Sequence, residues 1–253
     1  MIDLKTYVIK LLRGRYNSVR YRFIMLPREW LIYIFRFRLM GRSWLEFYSW
    51  RMNRFAAQGS DKPVPSKYVD MAEGHFKFLR SKGLLPHHRV LDYGCGFMRT
   101  GVFIVPYLEE HHYVGVDISG ERLKKAAQLA AARKLSQGTF ELIEVKSCRL
   151  DELNGQHFDY IWANSVLHHM PEPDIRMFLQ NLKRLIDGNS QFFFTFTPSE
   201  KGRFERLRIK DFYYLVEDMR SICESEGYRF EFQEDWDQEF WGDRAVRLVL
   251  ADG

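Results

Sequence analysis

The chain has 253 residues, 46% of them hydrophobic and 28% charged, the proportions of a globular protein long enough to bury a sizeable core. Its net charge of +5 is uneven, because residues 1–60 carry 12 Lys and Arg against 3 Asp and Glu while the remainder carries 26 against 30. Three separated cysteines, Cys95, Cys148 and Cys223, argue against a disulfide framework or a thiolate metal site and suit a reducing cytosol, and no apolar run reaches the roughly 18 residues of a transmembrane helix.

Residues 1–57 read as a basic, aromatic-rich helical extension. Trp30, Leu31, Ile34, Phe35, Phe37 and Leu39, then Trp44, Leu45, Phe47, Tyr48 and Met52, recur at roughly helical spacing with arginines between them. Such a segment either packs over a neighbouring domain or lies peripherally on a membrane surface, with nucleic-acid contact a third use. Gln58–Ser66 is a linker by composition, which places the second domain at residues 58–253. Ser66 can cap a helix that closes at Lys82-Gly83.

The stretch Arg89–Gly96 follows: a short apolar run, Asp92, then a turn on Gly94 and Gly96. It predicts a buried strand stopping abruptly where a ligand can lie against bare backbone. His112–Asp117, Phe140–Val145, Phe158–Ala163 and Gln191–Thr197 predict four more strands. Helices are predicted between them, one capped by Ser119 and one marked by Ile175, Phe178, Leu179, Leu182, Leu185 and Ile186. Asp211 can cap a helix ended by Gly227, and Tyr228–Glu234 and Arg244–Ala251 read as the last two strands. The alternation specifies an α/β fold, a doubly wound, mostly parallel seven-stranded sheet with an antiparallel edge strand.

Asp117 lies 21 residues beyond Gly96, near the spacing at which an acid after the second strand holds a ribose. A dinucleotide fingerprint would need a third glycine where this chain has Arg99. Asp92 beside the turn suits a ligand carrying positive charge better than one carrying pyrophosphate. Electrostatics therefore favour S-adenosylmethionine.

Val90-Leu91-Asp92-Tyr93-Gly94-Cys95-Gly96 resembles the first motif of class I S-adenosylmethionine-dependent methyltransferases, with a Rossmann-like fold. Gly115-Val116-Asp117-Ile118-Ser119 resembles their ribose motif, and the segment from Phe158 to Met170 their fourth-strand motif. The resemblance implies that Gly94, Cys95 and Gly96 line the amino-acid moiety of the donor with Asp92 close by. It further implies that Asp117 holds the ribose, Ile118 packs on the adenine and Asn164 faces the methionine end. Two positions depart from the pattern. Met98 stands where the family often has a further glycine, with Gly101 available to relieve the crowding. Ser147-Cys148 stands where an acid and a small residue often flank the adenine.

Methyl transfer to an alcohol or phenol needs a proton acceptor, and His168 and His169 sit where the fourth strand delivers residues to the reacting group. A base is expected among the two, His168 first, the plainer alternative being that one of them only packs. The loop lacks the Asp/Asn-Pro-Pro-aromatic sequence of nucleic-acid amine methylases, and the fifth strand lacks the acids of the metal-assisted type, so no metal is expected. Trp236, Phe240, Trp241 and the basic run Lys201–Lys210 fall in the usual substrate-cap region, where edge packing and a solvated loop are the plain alternatives. The resulting expectation is a cytoplasmic enzyme, peripheral at a membrane in one reading. It would methylate an oxygen, less readily a nitrogen, of a small molecule, sugar or lipid-linked intermediate. Rival readings are a catalytically silent scaffold of the same fold and an RNA methylase guided by the basic arm.

Overall fold

The computed structural model describes residues 26–58, 66–136, 138–199, 212, 214–236 and 243–251. Residues 59–65 of the expected linker Gln58–Ser66, the basic run Lys201–Lys210, and Phe240 and Trp241 lie outside the described residues.

Seven strands form one sheet: β1 (Val90–Tyr93), β2 (Tyr113–Asp117), β3 (Phe140–Glu144), β4 (Tyr160–Ala163), β5 (Gln191–Phe196), β6 (Tyr228–Phe232) and β7 (Arg244–Leu250). Their order is β3-β2-β1-β4-β5-β7-β6. The first five run parallel, and β7 runs antiparallel to both β5 and β6. The reversed strand therefore lies one place in from the edge, which β6 forms. The expected β6–β7 pairing holds, and the returning strand fills the space beside β5. Every residue of β1, β2 and β4 is buried, as a strand covered on both faces requires.

Helices cover the two faces. The first face takes α6 (Glu172–Leu182) and α7 (Val216–Ser225), whose Ile175, Phe178, Leu179, Met219 and Ile222 join Leu91, Tyr93, Ile161 and Phe194 in the larger core. The opposite face takes α3 (Ser66–Ser81), α4 (Gly101–Ile104) and α5 (Gly120–Ala132), with Phe78, Leu79, Ile104, Ala126 and Ala130 against Val90, Tyr113, Tyr160 and Trp162. The alternating strand residues face opposite helical layers because the side-chain period of a strand is two. The chain order switches direction between β1 and β4, and in open α/β sheets the ligand crevice opens at the carboxyl ends of the strands at such a point.

Ahead of this lies α1 (Leu26–Ile32), continued by a π turn at Tyr33–Phe37 and a 3₁₀ turn at Arg38–Met40, then α2 (Trp44–Ala57). Ser43 and Glu46 close a reciprocal capping box at the start of α2: the Ser43 hydroxyl accepts from the Glu46 amide at 3.2 Å and the Glu46 carboxylate accepts from the Ser43 amide at 2.8 Å. α2 is seated on the sheet domain. Leu45 enters the larger core, Ser49 Oγ donates to the Ile118 carbonyl at 2.7 Å, and Lys125 Nζ donates to the Ala56 carbonyl at 2.6 Å. Asn53 Oδ1 accepts from Ser119 Oγ at 2.8 Å and from the Glu121 amide at 3.1 Å, so a residue of the extension helps cap α5.

Candidate active site

A cavity of about 1030 Å³ opens over the carboxyl ends of β1, β2 and β4. Its floor is the glycine turn. The amides of Gly94 and Cys95 both donate to the Val116 carbonyl, at 2.8 and 2.9 Å, folding the turn back onto β2. Gly94 has φ of 75°, and a Cβ there would lie 2.5 Å from Val166 Cγ2, so only bare backbone fits against the loop after β4.

Asp117 ends β2 and lines the cavity. Its Oδ2 accepts from the Gly96 amide at 3.0 Å and its Oδ1 from the Ser119 amide at 2.9 Å. A carboxylate oxygen has two lone pairs, so each still has capacity for a ligand hydroxyl. Burial raises the Asp117 carboxyl above its usual range, opposed by the Arg122 charge and by backbone amides. Ile118, next in the chain, also lines the cavity, as do Gly94, Cys95, Gly96, Asp92 and Asn164.

Asp92 is almost wholly buried, and Tyr113 Oη donates to its Oδ2 at 2.6 Å. Burial pushes the carboxyl up to about 7, the Tyr113 bond pulls against that rise, and the nearby Asp117 charge adds to it. A positive group entering the cavity would favour the ionised form. Met98 takes φ of 60°, in the left-handed region, with its side chain fully buried. Gly101 makes this possible: a Cβ on it would lie 2.5 Å from Met98 Cγ and 2.3 Å from the Tyr113 hydroxyl oxygen.

The opposite wall comes from the loop after β4. Thr195 Oγ1 donates to Asn164 Oδ1 and accepts from the Ser165 amide, both at 2.9 Å, which ties the end of β4 to β5. Leu167–His169 form a 3₁₀ turn, and this short turn separates the two histidines. His169 lines the cavity, with the Tyr48 ring stacked on it at 5.7 Å and 29°. His168 is buried, is not among the lining residues, and its carbonyl accepts from the Phe212 amide at 2.6 Å.

Ser147 and Cys148 also lie off the cavity. Ser147 Oγ accepts from the Arg149 amide at 3.2 Å, and burial, with the Asp174 charge adding to it and the Tyr93 hydrogen bond opposing it, pushes the Cys148 thiol up to about 12. Val145, just past the end of β3, reaches the cavity in their place.

Several lining residues carried no motif. Leu45 and Tyr48 come from α2. His75 on α3 is buried, within 3.3 Å of Thr100 Oγ1, and stacked on Trp236 at 5.3 Å. Burial, with the Arg99 charge beside it, pushes His75 down to about 4, so it is neutral. Asp243, just before β7, accepts from Ser165 Oγ at 3.2 Å and from Thr197 Oγ1. The one sequence signal for these positions was helical periodicity or a strand end, which marks burial and not a cavity. Among the described residues, no group of three or more His, Cys, Asp or Glu side chains could hold a metal ion.

Comparison with known proteins bears on the fold. Residues 91–192 match a protein family described as a methyltransferase domain. An uncharacterized protein of Methanocaldococcus jannaschii is 30% identical over 158 residues, covering 57% of this chain and 41% of the relative, so the chain spans less than half that protein's length. Among solved structures, magnesium protoporphyrin IX methyltransferase from Synechocystis with bound SAH is similar with a TM-score of 0.62 at 19% identity, over 83% of this chain and 100% of the other. An O-methyltransferase-like protein from Nostoc punctiforme is similar with a TM-score of 0.58 at 14% identity, over 78% of this chain and 59% of the other. At these identities the likeness is one of fold.

Proposed function

We propose that this chain is an S-adenosylmethionine-dependent class I methyltransferase and that the group it methylates is an oxygen of a small molecule, free sugars and lipid-linked intermediates included. The carrying observation is the Asp117 carboxylate, held by the Gly96 and Ser119 amides on the same cavity as Asn164 and His169. When bound, the donor supplies a methyl group already activated on a sulfonium.

The residues fit that donor. Asp117 has acceptor capacity for two ribose hydroxyls, the Gly94–Gly96 backbone admits close approach, and ionised Asp92 offers the one kind of charge a cationic ligand needs. Ile118 and Val145 offer apolar surface to a base. The cavity continues past Asn164 to His75, Thr100, Trp236 and Asp243, which gives an acceptor its own polar and aromatic walls. His169 is the histidine that faces this space, and its imidazole would be placed to take the proton of an acceptor hydroxyl. Holding the acceptor in line and keeping water out accounts for much of the remaining rate.

The test is labelled-methyl transfer from S-adenosylmethionine into a lysate fractionated into lipid, glycan, small-molecule, protein and RNA pools. Label in a small-molecule, glycan or lipid pool that is released as methanol by base or as methyl iodide by hydriodic acid, as O-methyl groups are, supports the reading. Label confined to RNA overturns it. Donor binding by calorimetry without incorporation into any pool leaves a scaffold.

A further inference from the structure

The α1 segment and the two turns after it carry two apolar faces. The inner one is used: Tyr33 and Phe37 meet Phe47 at 5.3 and 5.5 Å, and Trp30, Trp44 and Trp50 complete the cluster. The outer one has no cover from any described residue. Leu31, Phe35, Leu39 and Met40 are 54%, 62%, 69% and 67% exposed, four of the six large exposed hydrophobics among the described residues. Leu31, Phe35 and Leu39 recur every fourth residue and so share one side of the helical segment. Single exposed apolar residues are ordinary, but a contiguous run of them marks a contact surface.

The charge of the same stretch is one-sided. Arg28, Arg36, Arg38 and Arg42 are exposed, and the sequence holds no acid between Trp30 and Leu45. Of the two acids that flank the stretch, Glu29 is buried and paired with Arg51 at 3.0 Å, and exposed Glu46 is engaged at the start of α2, where its carboxylate accepts from the Ser43 amide at 2.8 Å.

Protruding apolar side chains set among unneutralised arginines match an anionic bilayer in both respects. The apolar tips enter the acyl boundary while the guanidinium groups remain at the lipid phosphates. Nucleic acid would use the arginines and leave the apolar tips without a partner. A second copy of this chain would set arginines against arginines. We propose that residues 28–42 form a peripheral docking face for an anionic lipid bilayer. Because α2 both carries this face and lines the cavity through Leu45 and Tyr48, the docked protein presents its cavity at a fixed distance from the lipid surface. The proposal stands independently of the methyl acceptor.

The experiment is co-sedimentation of the full chain with phosphatidylcholine vesicles, pure or containing about 30% phosphatidylserine. The comparison is a triple variant, Leu31→Ser, Phe35→Ser and Leu39→Ser, at positions whose exposure leaves the core untouched. The expected result is sedimentation with the anionic vesicles that weakens as salt is raised, and partitioning of the variant about tenfold weaker or more. Calorimetric binding of S-adenosylmethionine, measured on both proteins, is expected to be equal, which keeps this test separate from that of the donor site. Recovery of the wild type in the supernatant overturns the proposal. So does undiminished binding of the variant, which would assign the contact to another segment such as residues 1–25. A wild-type dimer that the variant dissolves, without vesicle binding by either, also overturns it and makes a second copy the occupant.

Discussion

Tyr113 on β2 donates its phenolic hydroxyl to Asp92 on β1 at 2.6 Å, where neither side chain has solvent to share the charge. One bond does not compensate a carboxylate for the loss of water, so the Asp92 carboxyl rises to about 7. His75, buried over the same face of the sheet, moves the other way, to about 4.

These two shifts have opposite consequences for stability. Asp92 binds its proton more tightly in the folded chain, so its contribution is full below about pH 4 and is lost as pH rises to about 7, on the order of 4 kcal/mol. His75 resists protonation in the folded chain, so its contribution is full above about pH 6.5 and is lost as pH falls to about 4, on the order of 3 kcal/mol. They largely offset each other in the wild type. Asp92→Asn is expected to leave a stability that rises with pH over this window, and His75→Asn one that falls. Urea unfolding at pH 4.5 and pH 8 reads both; equal pH slopes in the two variants would refute the assignment.

Gly101→Ala is expected to cost about 1–3 kcal/mol, because the new Cβ meets the Tyr113 hydroxyl and Met98 Cγ. Tyr113→Phe removes the nearer of those atoms. In a double-mutant cycle the pair should therefore be less destabilising than the sum of the single changes, and strict additivity would count against the overlap.

Asn53→Ala removes the acceptor shared by Ser119 Oγ and the Glu121 amide at the start of α5. A loss of about 1–2 kcal/mol is expected in thermal unfolding. Asn53→Asp, which keeps the acceptor, should recover most of it.

Asp117→Ala removes the acceptor of two backbone amides and of the proposed ribose hydroxyls. Affinity for S-adenosylhomocysteine should fall about a hundredfold or more by calorimetry. Full retention of binding would move the nucleoside elsewhere in the cavity.

His169→Gln should lower labelled-methyl incorporation by about 100-fold or more with donor affinity unchanged, since a general base contributes to transfer and not to binding. His168→Gln should instead lower the unfolding midpoint, in keeping with its buried place. A reversed pattern would exchange their roles.

The sequence by itself determined the sheet and the turn at its centre. Val90–Tyr93, Tyr113–Asp117 and Tyr160–Ala163 are short apolar runs ended by acids, glycines or Asn, and both run and stop are local properties of a chain buried on two faces. The antiparallel pairing of β6 and β7 followed from the lack of a helix between them, but the seat of β7 inside the edge depended on its long pairing with β5. The cavity wall was a tertiary matter. Tyr48 and Leu45 reach the site because Ser49, Asn53 and Ala56 dock on α5 and the Ile118 loop, partners 69, 66 and 69 residues away in the chain. Adjacent histidines in one motif were indistinguishable until a 3₁₀ turn set His169 toward the cavity and His168 into the core. Likewise the motif showed that Asp92 is an acid, while the burial and the Tyr113 hydroxyl that set its proton affinity come from another strand. Local pattern names an element, and long-range packing decides which of its side chains meet.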